Sequence, residues 1–193
     1  MLFPSKMKID LIKYLNKKSV IMALVVCIGI AVAVLIVWTF DLYPIAIVNY
    51  HPIMAYKFNH SLDITLKYFN ITDSKSVKDF KKAVFEGLID EVAMDRELRK
   101  SMTQSEINQK IESQVGGILN DSQTQKSLEA RSISLDDAKK YFLGIDIKNQ
   151  LLNSQLSLEG KNLLTWLLEQ RKNLKVIILV PHVHWNGNGV EFD

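Results

Sequence analysis

The chain has 193 residues, 24 Lys and Arg against 21 Asp and Glu, a formal charge of +3 and a hydrophobic share of 48%, enough for one modest domain beside a membrane segment. The basic excess comes from the N-terminal end alone: Lys6, Lys8, Lys13, Lys17 and Lys18 stand against Asp10, while residues 41–193 carry 19 basic and 20 acidic side chains. A near-neutral remainder lacks the footprint of nucleic-acid binding, and Cys27, the sole cysteine, excludes an internal disulfide.

No charge interrupts Val20 to Phe40. As a helix this run is about 31 Å long, matching a hydrocarbon core of ~30 Å, and Trp38 and Tyr43 suit an aromatic interface belt. The run exceeds a signal-peptide core, and bulky residues follow it where a cleavage site needs small ones. The sequence therefore predicts an uncleaved signal anchor. Five lysines before the span place residues 1–19 in the cytoplasm as a short basic segment, residues 20–40 across the membrane, and the C-terminal domain outside, at the cell surface or in a periplasm.

Beyond the span, Ile45 to Tyr50 is apolar and β-branched, which predicts a strand, and His51-Pro52 predicts the turn that ends it. A helix is expected from Met54 to about Phe69, with Phe58, Leu62, Leu66 and Phe69 on one face. Ser74 or Ser76 caps the next, which runs to about Lys100 on Val77, Phe80, Val84, Leu88 and Val92; its charges, Lys81, Glu86, Asp90 and Glu97, read as a solvated face. Thr103-Gln104-Ser105-Glu106 is a capping-box sequence opening a helix that Gly116-Gly117 weakens or ends. A polar stretch spans Asn120–Arg131. Ser134 then caps a long helix from Leu135 to about Gln155, a further helix starts near Leu158, and Leu174 to Val180 is a second strand closed by Pro181.

Two strands at opposite ends of a helical domain need each other to satisfy their backbone groups. The expected fold is mostly α: an N-terminal transmembrane helix, then a helical domain over residues 45–180 whose ends pair in a small two-stranded sheet, with 181–193 as a flexible tail.

Enzyme constellations are missing from the sequence. There is no Walker loop, nucleophile elbow, zincin motif or dinucleotide-binding glycine pattern. His182 and His184 form an H-x-H pair, but Pro181 breaks the strand before them and only Glu191 or Asp193 lies near as a third ligand. Asp90, Glu91 and Asp95 read as surface carboxylates. Asn70-Ile71-Thr72 matches a glycosylation sequon, a short motif common by chance. The expectation is a protein that is not an enzyme and holds no cofactor and no metal.

The residues resemble a family. Ile47-Val48-Asn49-Tyr50-His51-Pro52-Ile53 before a helix is similar to the opening strand and turn of SurA-type N-terminal chaperone domains, though Tyr50 stands where that family has a turn glycine. Phe85-Glu86-Gly87-Leu88-Ile89-Asp90-Glu91 looks like its leucine-isoleucine-aspartate-glutamate helix, Thr103-Gln104-Ser105-Glu106-Ile107 like its next helix start, and Leu164 to Ile178 like its closing helix and strand. The SurA and PrsA foldases carry parvulin prolyl-isomerase domains between the last two helices; here only Gln155–Leu158 lies there, so the resemblance implies the chaperone module without the isomerase. It implies a helical cradle for unfolded or extended exported polypeptides, working without ATP or catalysis. Soft apolar side chains suit such promiscuity, and the candidates are Met54, Phe58, Leu62, Phe69, Phe85, Met94 and Phe142. The alternative is a scaffold or assembly factor docking one membrane-protein partner.

Overall fold

A computed structural model describes residues 17–193. Lys6, Lys8, Asp10 and Lys13, on which the predicted orientation leans, lie outside the described residues. Two compact units follow one another, the first reaching Leu42 and the second running from Tyr43 to Asp193.

The first unit is helix α1, Lys17–Thr39. Its stretch Val20–Thr39 has a mean hydropathy of 3.3 and no buried residue, and is long and apolar enough to cross a membrane. The helix ends by backbone geometry. Asp41 adopts the left-handed conformation (φ 52°), and Leu42 N–H donates to the Val37 carbonyl at 2.8 Å, so two otherwise orphaned carbonyls near the terminus find donors.

The second unit is mostly helical with small antiparallel sheets. Strand β1, Pro44–Val48, turns at Asn49-Tyr50 into β2, His51–Met54. The prediction put this turn at His51-Pro52. Both Asn49 and Tyr50 have positive φ, 47° and 70°, the pattern of a two-residue hairpin whose hand matches strand twist. An L-residue there carries about 1–2 kcal/mol of strain, which asparagine relieves locally and tyrosine does not. β1 also pairs with β3, Val176–Ile178, through Ala46 opposite Ile178 and Val48 opposite Val176. The expected end-to-end pairing is present, in a sheet of three strands with β1 at its centre.

Helices α2, Ala55–Phe69, and α3, Ser74–Leu98, follow. The cap of α3 is Asp73, in place of the expected Ser74 or Ser76, accepting from Ser76 N–H at 2.8 Å. Helix α4, Gln104–Leu119, opens with the predicted capping box: Thr103 and Glu106 each accept from the other's backbone N–H. It continues through Gly116-Gly117, because burial of Ile107 and Val115 in the core outweighs a cost of about 1 kcal/mol per glycine. The polar stretch forms a short helix α5, Ser122–Glu129, capped by Asp121.

Ser134 caps α6, Leu135–Ala138, as expected. The long helix it opens is interrupted by a π-helical turn, Lys139–Leu143, before α7, Gly144–Leu158. Gly144 N–H donates to the Lys139 carbonyl; a Cβ at Gly144 would sit 2.9 Å from that same oxygen, so this turn requires glycine. α7 runs on to Leu158, where the next helix was expected to start; Gly160, at φ 70°, reverses the chain and α8 occupies Leu163–Asn173.

The predicted flexible tail 181–193 is a hairpin, β4 Val183–Trp185 against β5 Val190–Phe192. Val190 is fully buried, joining Ile45, Ala46, Val48, Ile53, Phe85 and Ile89 in one core. A second core gathers Met94, Leu98, Ile107, Leu152, Leu156 and Trp166, and a third Ile64, Leu128, Ile133 and Tyr141.

Candidate functional site

Helix α3 is the spine on which charges from three other elements converge. Asp90 and Glu91 were expected on the surface; they are 8% and 6% exposed. The correction has a physical cause, since cations from distant elements cover them. Arg171 of α8 grips Asp90 with two nitrogens at 2.8 and 2.6 Å, reaches Glu86 at 3.3 Å, and donates to the Asn188 carbonyl at 2.9 Å. Glu86, also expected on the solvated face, accepts from Val190 N–H at 3.0 Å. Arg171 and Glu86 thus fasten the C-terminal hairpin to α3. Gly189 sits so close that a Cβ would lie 2.6 Å from the Glu86 carboxylate.

Next to Asp90 in the chain, Glu91 receives Lys57 of α2 at 2.6 Å and Lys148 of α7 at 2.7 Å, and Lys148 also pairs with Asp95 at 2.9 Å. Burial works against the Glu91 carboxylate, but Lys148 and then Lys57 outweigh it and hold its pKa below the ordinary value. Asp90 goes the other way: burial raises its pKa and Arg171 offsets only part of that. Every member of the network is matched by an opposite charge, as a buried ionic network requires.

The H-x-H pair is no frayed tail. His184 lies in β4 opposite Glu191, its Nε2 2.9 Å from Glu191 and its Nδ1 3.3 Å from Asp193. Among the described residues, no group of three or more His, Cys, Asp or Glu side chains is arranged to hold a metal ion.

The candidate peptide-binding residues are largely spent on packing. Phe85 and Met94 are buried in the first and second cores, Leu62 is buried, Phe58 packs against Phe85 at 5.4 Å between ring centroids, and Phe142 closes on Tyr68 at 4.8 Å. Met54 is half-buried. Phe69 alone of the seven is more than half exposed. They do not form one surface, because a hydrophobic stripe read from periodicity is the side that packs.

The exposed apolar side chains lie elsewhere. Leu158 is 91% exposed, Leu164 67%, and Leu168 also points outward, one turn from Leu164 on α8. A polar groove of about 770 Å³ lies between the end of α3 and the start of α8, lined by Arg96, Lys100, Lys161, Trp166, Glu169 and Gln170 among others, and these leucines are not part of its lining. The groove offers donors and acceptors along its walls, and α8 carries exposed leucines on another face, so one region presents polar groups for a main chain and apolar groups for side chains. Sequence reasoning missed it. The signal available was that Leu164 and Leu168 fall out of step with Leu163, Trp166 and Leu167, the side of α8 that packs. No family model, no curated protein and no solved structure matches the chain.

Proposed function

We propose that this chain is a membrane-tethered holder of unfolded or extended exported polypeptides, working without ATP or covalent chemistry. Its lysine-rich end lies in the cytoplasm and the domain from Tyr43 lies on the far side. The observation that carries this reading is the exposed leucines at the end of α7 and on α8: Leu158 and Leu164 are largely exposed, and burying each against a client is worth about 1.5–3 kcal/mol. Weak apolar contacts beside polar groups that pair with any main chain give breadth over selectivity. The resemblance of the strand, helix and capping motifs to SurA-type domains supports the same reading, and the span concentrates the domain where translocated chains emerge.

The full chain in lipid nanodiscs, added in excess to a chemically unfolded client, should suppress light scattering from aggregation, and Leu158→Ser with Leu164→Ser should remove most of the effect. No suppression by the unaltered chain refutes the reading. A prolyl-isomerase assay should show no acceleration over the uncatalysed rate. The scaffold alternative draws support from the packing of Phe58, Phe85, Met94 and Phe142, which removes a deep apolar cradle; affinity confined to one membrane partner would favour it.

A further inference from the structure

We propose that the tip of the β1–β2 hairpin and the last turns of α3 form a docking site for an acidic, extended polypeptide segment; it shares Arg96 with the groove beside α8 but does not rest on the chaperone reading. Three observations meet there. The first is a groove of about 260 Å³ lined by His51, Val92, Asp95, Arg96 and Arg99.

The second is its charge. Asp95 is taken up by Lys148 at 2.9 Å, and the neighbouring Glu97 by Lys100 at 2.8 Å. Among the described residues, the side chains of Arg96 and Arg99 have no ion pair or hydrogen bond, although the same helix supplies buried carboxylates to Arg171, Lys57 and Lys148. A helix C-terminus favours nearby cations, but that accounts for neither the groove nor two uncompensated guanidiniums beside it. Their planar forks match carboxylates bidentately.

The third is Tyr50, next to His51 at the hairpin tip. It is 88% exposed and held at φ 70°, a conformation that glycine adopts without strain. Its ring packs on almost nothing in this domain, so the fold gains little from a tyrosine here. An exposed aromatic one residue from His51, which lines the groove with Arg96 and Arg99, gives this region the composition of an interface anchor. Pro52, which follows in β2, lacks an N–H and discourages strand addition at that edge, so recognition runs through side chains.

The probe is a fluorescein-labelled, unstructured peptide of alternating glutamate and serine, with a glutamine counterpart, titrated by anisotropy into the full chain in phosphatidylcholine nanodiscs. The glutamate peptide should bind at least tenfold more tightly than the glutamine one, and R96Q/R99Q should erase that difference. Tyr50→Gly should weaken glutamate-peptide binding at least threefold while raising the thermal midpoint. Equal binding of the two peptides, or undiminished preference in R96Q/R99Q, overturns the proposal. So does a benzophenone at position 50 that crosslinks to anionic lipid in preference to the peptide, since the site would then belong to headgroups.

Discussion

Replacing Arg171 tests whether the charge network on α3 holds the domain together. Its side chain makes two bonds to Asp90, one to Glu86 and one to the Asn188 carbonyl, and is only 16% exposed. Arg171→Met keeps the apolar stem but strands the Asp90 carboxylate in a site 8% exposed. Breaking one side of a buried pair costs about 3–5 kcal/mol, a large part of the 5–15 kcal/mol typical of a whole domain, and for a domain of this size lowers the thermal midpoint by roughly 10 °C. Removing both charges with Asp90→Leu and Arg171→Met should recover most of that loss, because the penalty lies in the unpaired charge. Urea unfolding followed by tryptophan fluorescence reads both. A single-variant loss below about 1 kcal/mol, or a double variant no better than the single, would refute the reasoning.

Acid should destabilise the domain through Glu91. Its pKa is lowered in the fold, so the stability it contributes is present above its unfolded value near 4.5 and is lost as pH falls through the folded one; Glu91→Gln should flatten the unfolding profile in that range. Asp90, whose pKa is raised, gives the opposite slope just above the usual aspartate value, so the difference between variant and parent isolates Glu91. Gly189→Ala should cost about 1–3 kcal/mol by displacing Glu86 from Val190 N–H, read as a lower urea midpoint. Ser61→Ala should stabilise by about 1 kcal/mol, since the buried Ser61 hydroxyl has no hydrogen-bond partner among the described residues, and calorimetry would show a rise of a few degrees.

Local signals in the sequence translated well where they were local in the structure. The apolar run, the capping box at Thr103 and the cap at Ser134 act within a few residues, and each appears where expected. The pairing of β1 with β3 followed from a backbone-satisfaction argument that needs no distance. The failures share the opposite property. Asp90 and Glu91 look like solvated carboxylates until Arg171, Lys57 and Lys148 arrive from elements far along the chain. The hairpin at 183–192 looked like loop because its strands are three residues each, held by Glu86 and a core contact at Val190 that the flanking glycines do not advertise. The apolar stripes chosen as a binding cradle were the packed faces, and the exposed leucines of α8 were the residues the periodicity left over.

The central place of β1 sets a timetable for biosynthesis. Asn49 and Lys175, which close the β1–β3 ladder, stand 126 residues apart. At about 5–20 residues per second, roughly 10 s pass between synthesis of the strand that follows the span and synthesis of the strand that completes its sheet. Until then Ile45, Val48 and Ile53 lack Val176 and Ile178, the β3 side chains that pack against their core. A domain proposed to shelter unfinished chains begins its own life as one, with its first strand waiting for its last.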